Sequence, residues 1–181
     1  TGAEQPASDI LEMTLGAADA PITLVEYASF TCPHCANFHD TVLPGLKSEY
    51  IDTGKVKFIY RDIFFDRFGL WASMIARCEP TRFFGISDML YSQQKEWIGS
   101  GDPAMIADNL KKMGKVAGLT DAQLDTCLTE GAKAEALVAW YQKNAEADGI
   151  NSTPSLVIDG EKFSNMSFAD LQAILDKKLA Q

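Results

Sequence analysis

Ile22-Thr23-Leu24-Val25-Glu26-Tyr27-Ala28-Ser29-Phe30-Thr31-Cys32-Pro33-His34-Cys35 is the stretch on which the fold turns. Its first seven residues are rich in β-branched and aromatic side chains and apolar on both alternating faces apart from Glu26, the pattern of a strand buried on both sides. Five residues later Pro33 suits the first position of a helix, because it has no N–H to leave unsatisfied. Cys32 then stands at the helix N-cap, where unpaired N–H groups and the positive dipole end favour a thiolate. Cys35 follows three residues on, on the same helical face and within reach of a disulfide with Cys32. A strand handing a C-x-x-C pair to a helix N-terminus is an arrangement for thiol chemistry.

Downstream, the helix extends to about Tyr50, with a kink expected at Pro44. After the Asp52-Thr53-Gly54 turn, Val56–Tyr60 reads as a second strand. From residue 66 to 148 the apolar positions recur at helical spacing, as in Leu70, Met74 and Ile75, or Leu124, Cys127 and Leu128. Leu156–Ile158 returns to strand, Asp159-Gly160 marks a hairpin leading to Lys162-Phe163, and Ser167 caps a last amphipathic helix. The order β–α–β, helices, β–β–α predicts an α/β fold interrupted by a helical insertion. Residues 1–9 read as a flexible polar tail, 10–65 and 149–181 as one discontinuous domain, and 66–148 as the insertion.

The 181 residues suit one domain with such an insertion. No apolar run approaches the ~20 residues of a membrane span. The formal net charge of −9, with basic residues scattered, argues against a nucleic-acid partner. No secretory signal is visible, and one removed earlier is presumed.

The four cysteines fall as one close pair and two distant residues, Cys78 and Cys127, with three connectivities open. A zinc site would need two more ligands beyond the pair. His39 lies four residues past Cys35, but no second close cysteine pair exists, and His39 is expected on the helix surface rather than as a ligand. Haem attachment requires histidine where Ala36 stands. No metal and no cofactor beyond a redox-active disulfide is expected. Cys32 is thus the expected nucleophile, Cys35 the resolving thiol, and His34 a positive charge or donor beside the sulfur. For Glu26 two readings stand: a proton acceptor for Cys35, or a strand-edge carboxylate facing water or lysine. Thr153-Pro154 precedes a strand, and none of the prolines is identifiable as cis from sequence alone.

Taken together, these residues resemble the DsbA family of bacterial periplasmic thiol oxidases, in the compact branch of alpha-proteobacteria and Gram-positive bacteria. Asp19–Glu26 is similar to that family's leading strand, and Cys32-Pro33-His34-Cys35 to its active-site motif. Asp148–Ser155 resembles its cis-proline segment, and Val157–Gly160 its hairpin. The resemblance implies a thioredoxin fold, with Cys32 as nucleophile, Cys35 as resolving thiol, His34 stabilising the thiolate and Glu26 as a buried proton relay. It implies that Pro154 is the cis-proline holding substrate backbone, beside Thr153. Threonine there departs from the enterobacterial valine and is closer to isomerases. Relatives of this branch carry cysteines where Cys78 and Cys127 stand, implying a structural disulfide across the insertion.

The expectation is therefore a periplasmic, monomeric thiol–disulfide oxidoreductase. It is most plainly an oxidase donating the Cys32–Cys35 disulfide to folding secreted proteins, reoxidised by a membrane-bound DsbB-like partner. A reductase or isomerase on the same fold is the first rival. A peptide-binding or chaperone module with an incidental C-x-x-C is the second.

Overall fold

The computed structural model describes residues 10–181; the expected tail, 1–9, lies outside the described residues. Five strands make one mixed sheet: β1 (Met13–Leu15), β2 (Ile22–Ala28), β3 (Val56–Asp62), β4 (Ser155–Ile158) and β5 (Glu161–Ser164), in the order β1-β3-β2-β4-β5. β2 is central, pairing parallel with β3 and antiparallel with β4. That placement explains its two-sided apolar pattern. Leu24 and Ala28 enter the main core, while Val25 and Tyr27 join Ile59, Ile63 and Val157 on the other face. Asp159 and Gly160 both take positive φ, 48° and 86°, turning β4 tightly into β5.

The parallel β2–β3 pair requires a crossover, supplied by α1 (Pro33–Thr41), α2 (Leu43–Leu46) and a π-helical turn, Lys47–Ile51. The kink expected at Pro44 is a break. α1 closes at Thr41 and α2 starts afresh at Leu43, with Pro44 in its first turn, where a missing N–H leaves no bond unmade. The last helix, α9 (Phe168–Leu179), buries Leu171 and Leu175 and is capped by the Ser167 side chain, which accepts from the Asp170 N–H.

Between β3 and β4 run α3 (Arg67–Ala76), a 3₁₀ turn at Pro80–Arg82, α4 (Phe83–Ser92), α5 (Gln94–Ile98), α6 (Pro103–Val116), α7 (Asp121–Thr129) and α8 (Gly131–Asp148). Two devices tie these helices together and to the sheet. Cys78, just past α3, is bonded to Cys127 in α7. At the end of β3, buried Asp62 receives the Arg77 guanidinium at 2.9 Å and the Ser73 hydroxyl at 3.1 Å. Arg77 also donates to the Leu11 carbonyl at 2.9 Å and lies over the rings of Phe83 and Trp140. All of these contacts to Asp62 reach Oδ2, while Oδ1 is buried without a partner among the described residues, so the pair fixes geometry more than it adds stability.

Candidate active site

β2 ends at Ala28, and the chain turns through Ser29-Phe30-Thr31 to reach α1. Cys32 is the N-cap of α1 in extended backbone, with Pro33 in the first turn and no side-chain cap. The free helix end therefore faces the sulfur. Cys32 is half-buried, Cys35 fully buried, and both are free thiols. The Cys32 thiol is pulled from the ordinary 9.0 down to about 5. Donation from the Cys35 S–H is the main cause, joined by the Thr153 side chain and the N–H groups of Cys35 and His34, against burial. Cys35 moves the opposite way, pushed far up by burial, by its bond to Cys32 and by the negative charge of Glu26. One sulfur is thus poised as thiolate, the other held as thiol.

The structure brings most of the sequence-selected residues to this point. The Thr153–Pro154 bond is cis, and the Thr153 carbonyl lies 3.8 Å from Cys32 Sγ, which donates to it when protonated. His34 is exposed. Its contribution to the sulfur comes from the backbone N–H rather than the ring. Cys78 and Cys127 lie elsewhere, in their own disulfide.

Glu26 is wholly buried in the centre of β2, on the face that carries Leu24 and Ala28 into the main core. It is neither at a strand edge nor beside a lysine. Its partner is His39, whose Nε2 sits 2.8 Å from Glu26 Oε1. The placement of His39 on the helix surface is therefore wrong. Its side chain is 3% exposed, stacked on Tyr91 with centroids 4.1 Å apart and set edge-on to Tyr60 and Phe38. The physical reason is helical spacing. His39 is one turn after Cys35, beside Phe38 and Val42, so it shares the buried stripe of α1. With Nε2 committed to Glu26, no set of three or more His, Cys, Asp or Glu side chains among the described residues is arranged to hold a metal.

Two supports came without any sequence signal of this kind. Buried Gln94, at the start of α5, donates to the Phe30 carbonyl at 2.8 Å and the Cys32 carbonyl at 3.0 Å. Asp66, the N-cap of α3, accepts from the Thr31 hydroxyl at 3.0 Å. The inserted helices thus hold the loop that presents Cys32. Gln94 is separated from that loop by more than 60 residues, so no local pattern marks it.

The family model described as Thioredoxin matches residues 8–177. The chain belongs to the thioredoxin family. Within that family it is DsbA-like. It is similar to the crystal structure of alpha-DsbA1 from Wolbachia pipientis, at 26% identity and a TM-score of 0.83, over 93% of this chain and 91% of that one. A protein-disulfide isomerase from Novosphingobium aromaticivorans is also 26% identical, with a TM-score of 0.84, over 94% and 98% of the two chains. A putative protein-disulfide oxidoreductase of Rickettsia bellii is 33% identical across 94% of this thioredoxin-family chain. The chain spans 65% of that relative's length. The thioredoxin fold expected from the sequence, with helices inserted in a mixed sheet, is the fold of these DsbA-like neighbours.

Proposed function

We propose that this chain is a thiol–disulfide oxidoreductase acting as an oxidase. The carrying observation is the asymmetry of the pair: a half-buried Cys32 held as thiolate at the N-cap of α1, against a buried Cys35 held as thiol. A substrate thiolate attacks Cys32 Sγ of the Cys32–Cys35 disulfide. The S–S bond breaks, a Cys32–substrate disulfide forms, and Cys35 keeps the bonding electrons and takes a proton supplied through Glu26. The second substrate thiolate then attacks the substrate sulfur of that mixed disulfide. Cys32 leaves as a thiolate, and because its pKa is low it leaves readily. The substrate loses two electrons and the cysteine pair gains them. Thr153 and cis Pro154 lie opposite Cys32, where an extended substrate backbone would run. The names of the relatives support a disulfide-exchange activity.

The substrates of this reading are cysteine-containing secreted proteins, met outside the cytoplasm by a monomer. The dithiol is returned to disulfide by a membrane-bound thiol oxidase. No dissociable cofactor is involved. Threonine at 153 and the isomerase among the relatives favour one competing direction, in which the dithiol form reshuffles wrong disulfides.

Both directions are separated by mixing. The oxidised protein is added in equal amount to a reduced two-cysteine peptide, and the reduced protein to a substrate with scrambled disulfides. The expected result is rapid peptide oxidation, abolished by Cys32→Ser, and slow reshuffling. Fast reshuffling with little peptide oxidation would hand the function to the isomerase reading. Activity that survives Cys32→Ser would remove thiol chemistry altogether.

A further inference from the structure

The proposed chemistry asks one proton to reach or leave Cys35 at each turnover, and Cys35 has no exposed surface. Glu26 is equally enclosed, so a carboxyl at that position needs its own route to water. Its Oε1 meets a single group, His39 Nε2, at 2.8 Å, and Oε2 has no hydrogen-bond partner among the described residues. His39 in turn is among the residues lining a groove of about 920 Å³ between α1 and the α4–α5 pair, with Asp40, Lys47, Asp88 and Lys95. Its second nitrogen, Nδ1, is buried and has no hydrogen-bond partner among the described residues. Tyr60 and Tyr91, whose hydroxyls are 2.6 Å apart, close the other sides and hold the ring in plane. The order in space is therefore Glu26, His39, groove.

We infer that His39 is the proton outlet of Glu26, a positioning residue that links the buried acid to the groove. The inference rests on the oxidoreductase reading. When the Cys32–Cys35 bond is broken by a substrate thiolate, Cys35 receives the electron pair and then a proton from the Glu26 carboxyl. The neutral imidazole gives its Nε2 proton to Glu26 Oε1 as Nδ1 takes one from water entering through the groove, and a flip of the ring then returns an N–H to face Glu26. In the reverse direction Cys35 passes its proton to Glu26, and His39 releases one to the groove. The buried pair has the same charge before and after, so no net charge is left inside the fold. A histidine suits the post because its charge changes within the working pH range. The groups that set its titration are Glu26 on β2, Tyr60 on β3, and Cys35 and Asp40 on α1. Lys47 on the π-helical turn, Asp88 and Tyr91 on α4, and Lys95 and Glu96 on α5 complete the set. Burial raises the Asp88 carboxyl above its ordinary value, against the smaller opposing influence of His39 and Lys47.

The test uses the intact reduced protein mixed with excess oxidised glutathione. Rapid acid quenching separates the bimolecular attack by Cys32 from the unimolecular attack by Cys35 on the Cys32–glutathione disulfide. In His39→Ala and His39→Gln the second step should slow by about tenfold or more, less than the 10²–10⁴ of direct general acid–base catalysis. Alkylation of Cys32 should keep its wild-type pH midpoint. Added imidazole should restore His39→Ala, whereas pyrazole, of the same shape but far weaker basicity, should not. Unchanged second-step rates, or equal rescue by the two rings, would overturn the outlet. A wild-type protein whose Cys35 never displaces glutathione would instead overturn the oxidoreductase reading beneath it. Should both variants fail to fold, the ¹⁵N shifts of His39 in the wild type decide. Across a pH series they should respond differently in the dithiol and disulfide forms. Shifts that stay flat in both forms would end the idea.

Discussion

Gln94 reaches the active-site loop from another part of the chain, and its amide is the partner the Phe30 carbonyl has in that loop. The Cys32 carbonyl is better supplied, since the N–H groups of Cys35 and Ala36 also donate to it. Replacing Gln94 by leucine keeps the bulk and removes both donors. The cost should be about 1–3 kcal/mol, the penalty for leaving a buried carbonyl unpaired, read from the shift in urea midpoint. A change below a few tenths of a kcal/mol would mean that water takes over the carbonyl. The same residue shows where the sequence stops informing. Cys32, Cys35 and Pro33 announce themselves through spacing and residue type. Glu26 does so as a carboxyl in an apolar strand. Gln94 is an ordinary polar residue in a helix, and only the docking of α5 makes it matter. His39 was readable in principle, because one turn after Cys35 and beside Phe38 it lies on the stripe of α1 that must be buried. The surface placement fails because a lone histidine in a helix reads as solvent-facing until its partner on β2, Glu26, is in view.

At the scale of elements, the disulfide clamps α3 to α7 across 49 positions of chain. Closing a loop of that length should stabilise the fold by about 4 kcal/mol in the chain-entropy account. The double substitution Cys78→Ala with Cys127→Ala should therefore lower unfolding free energy by an amount of that order in urea titration. Far-UV circular dichroism should stay unchanged, because the caps at Asp66, Asp102 and Thr120 each hold their helices independently. A loss under 1 kcal/mol would place the stability of these helices in their packing alone. Long elements with a clear period, β2 and α9 among them, were legible from sequence. The three-residue β1 was not, for Met13–Leu15 is too short to show an alternation and is a strand only because β3 offers it an edge. The sequence predicts only a bend where the first helix splits at Val42, since proline announces a disturbed hydrogen-bond ladder without saying how the chain resumes.

For the molecule as a whole, the depressed Cys32 pKa ties redox state to folding. The thiolate is favoured only in the folded dithiol form, whose value is about 5 against an ordinary 9.0. Its stabilisation is complete above the unfolded value near 9, declines as pH falls, and is lost below about 5. The urea midpoint of the reduced protein, measured relative to the oxidised one with Cys78–Cys127 kept paired, should thus fall progressively from pH 9 to 5. A gap between the two forms that is constant across this window would show that Cys32 does not ionise early. The order of the sheet carries a different consequence, one of time. Thr153 stands 121 residues after Cys32, yet its carbonyl forms the wall facing that sulfur. During synthesis both active-site sulfurs, and Cys78 and Cys127 after them, emerge before β4 exists to flank β2. For that interval four thiols share one nascent chain with nothing opposite Cys32, and the last strands to be delivered are the ones that give the first cysteine its counterpart.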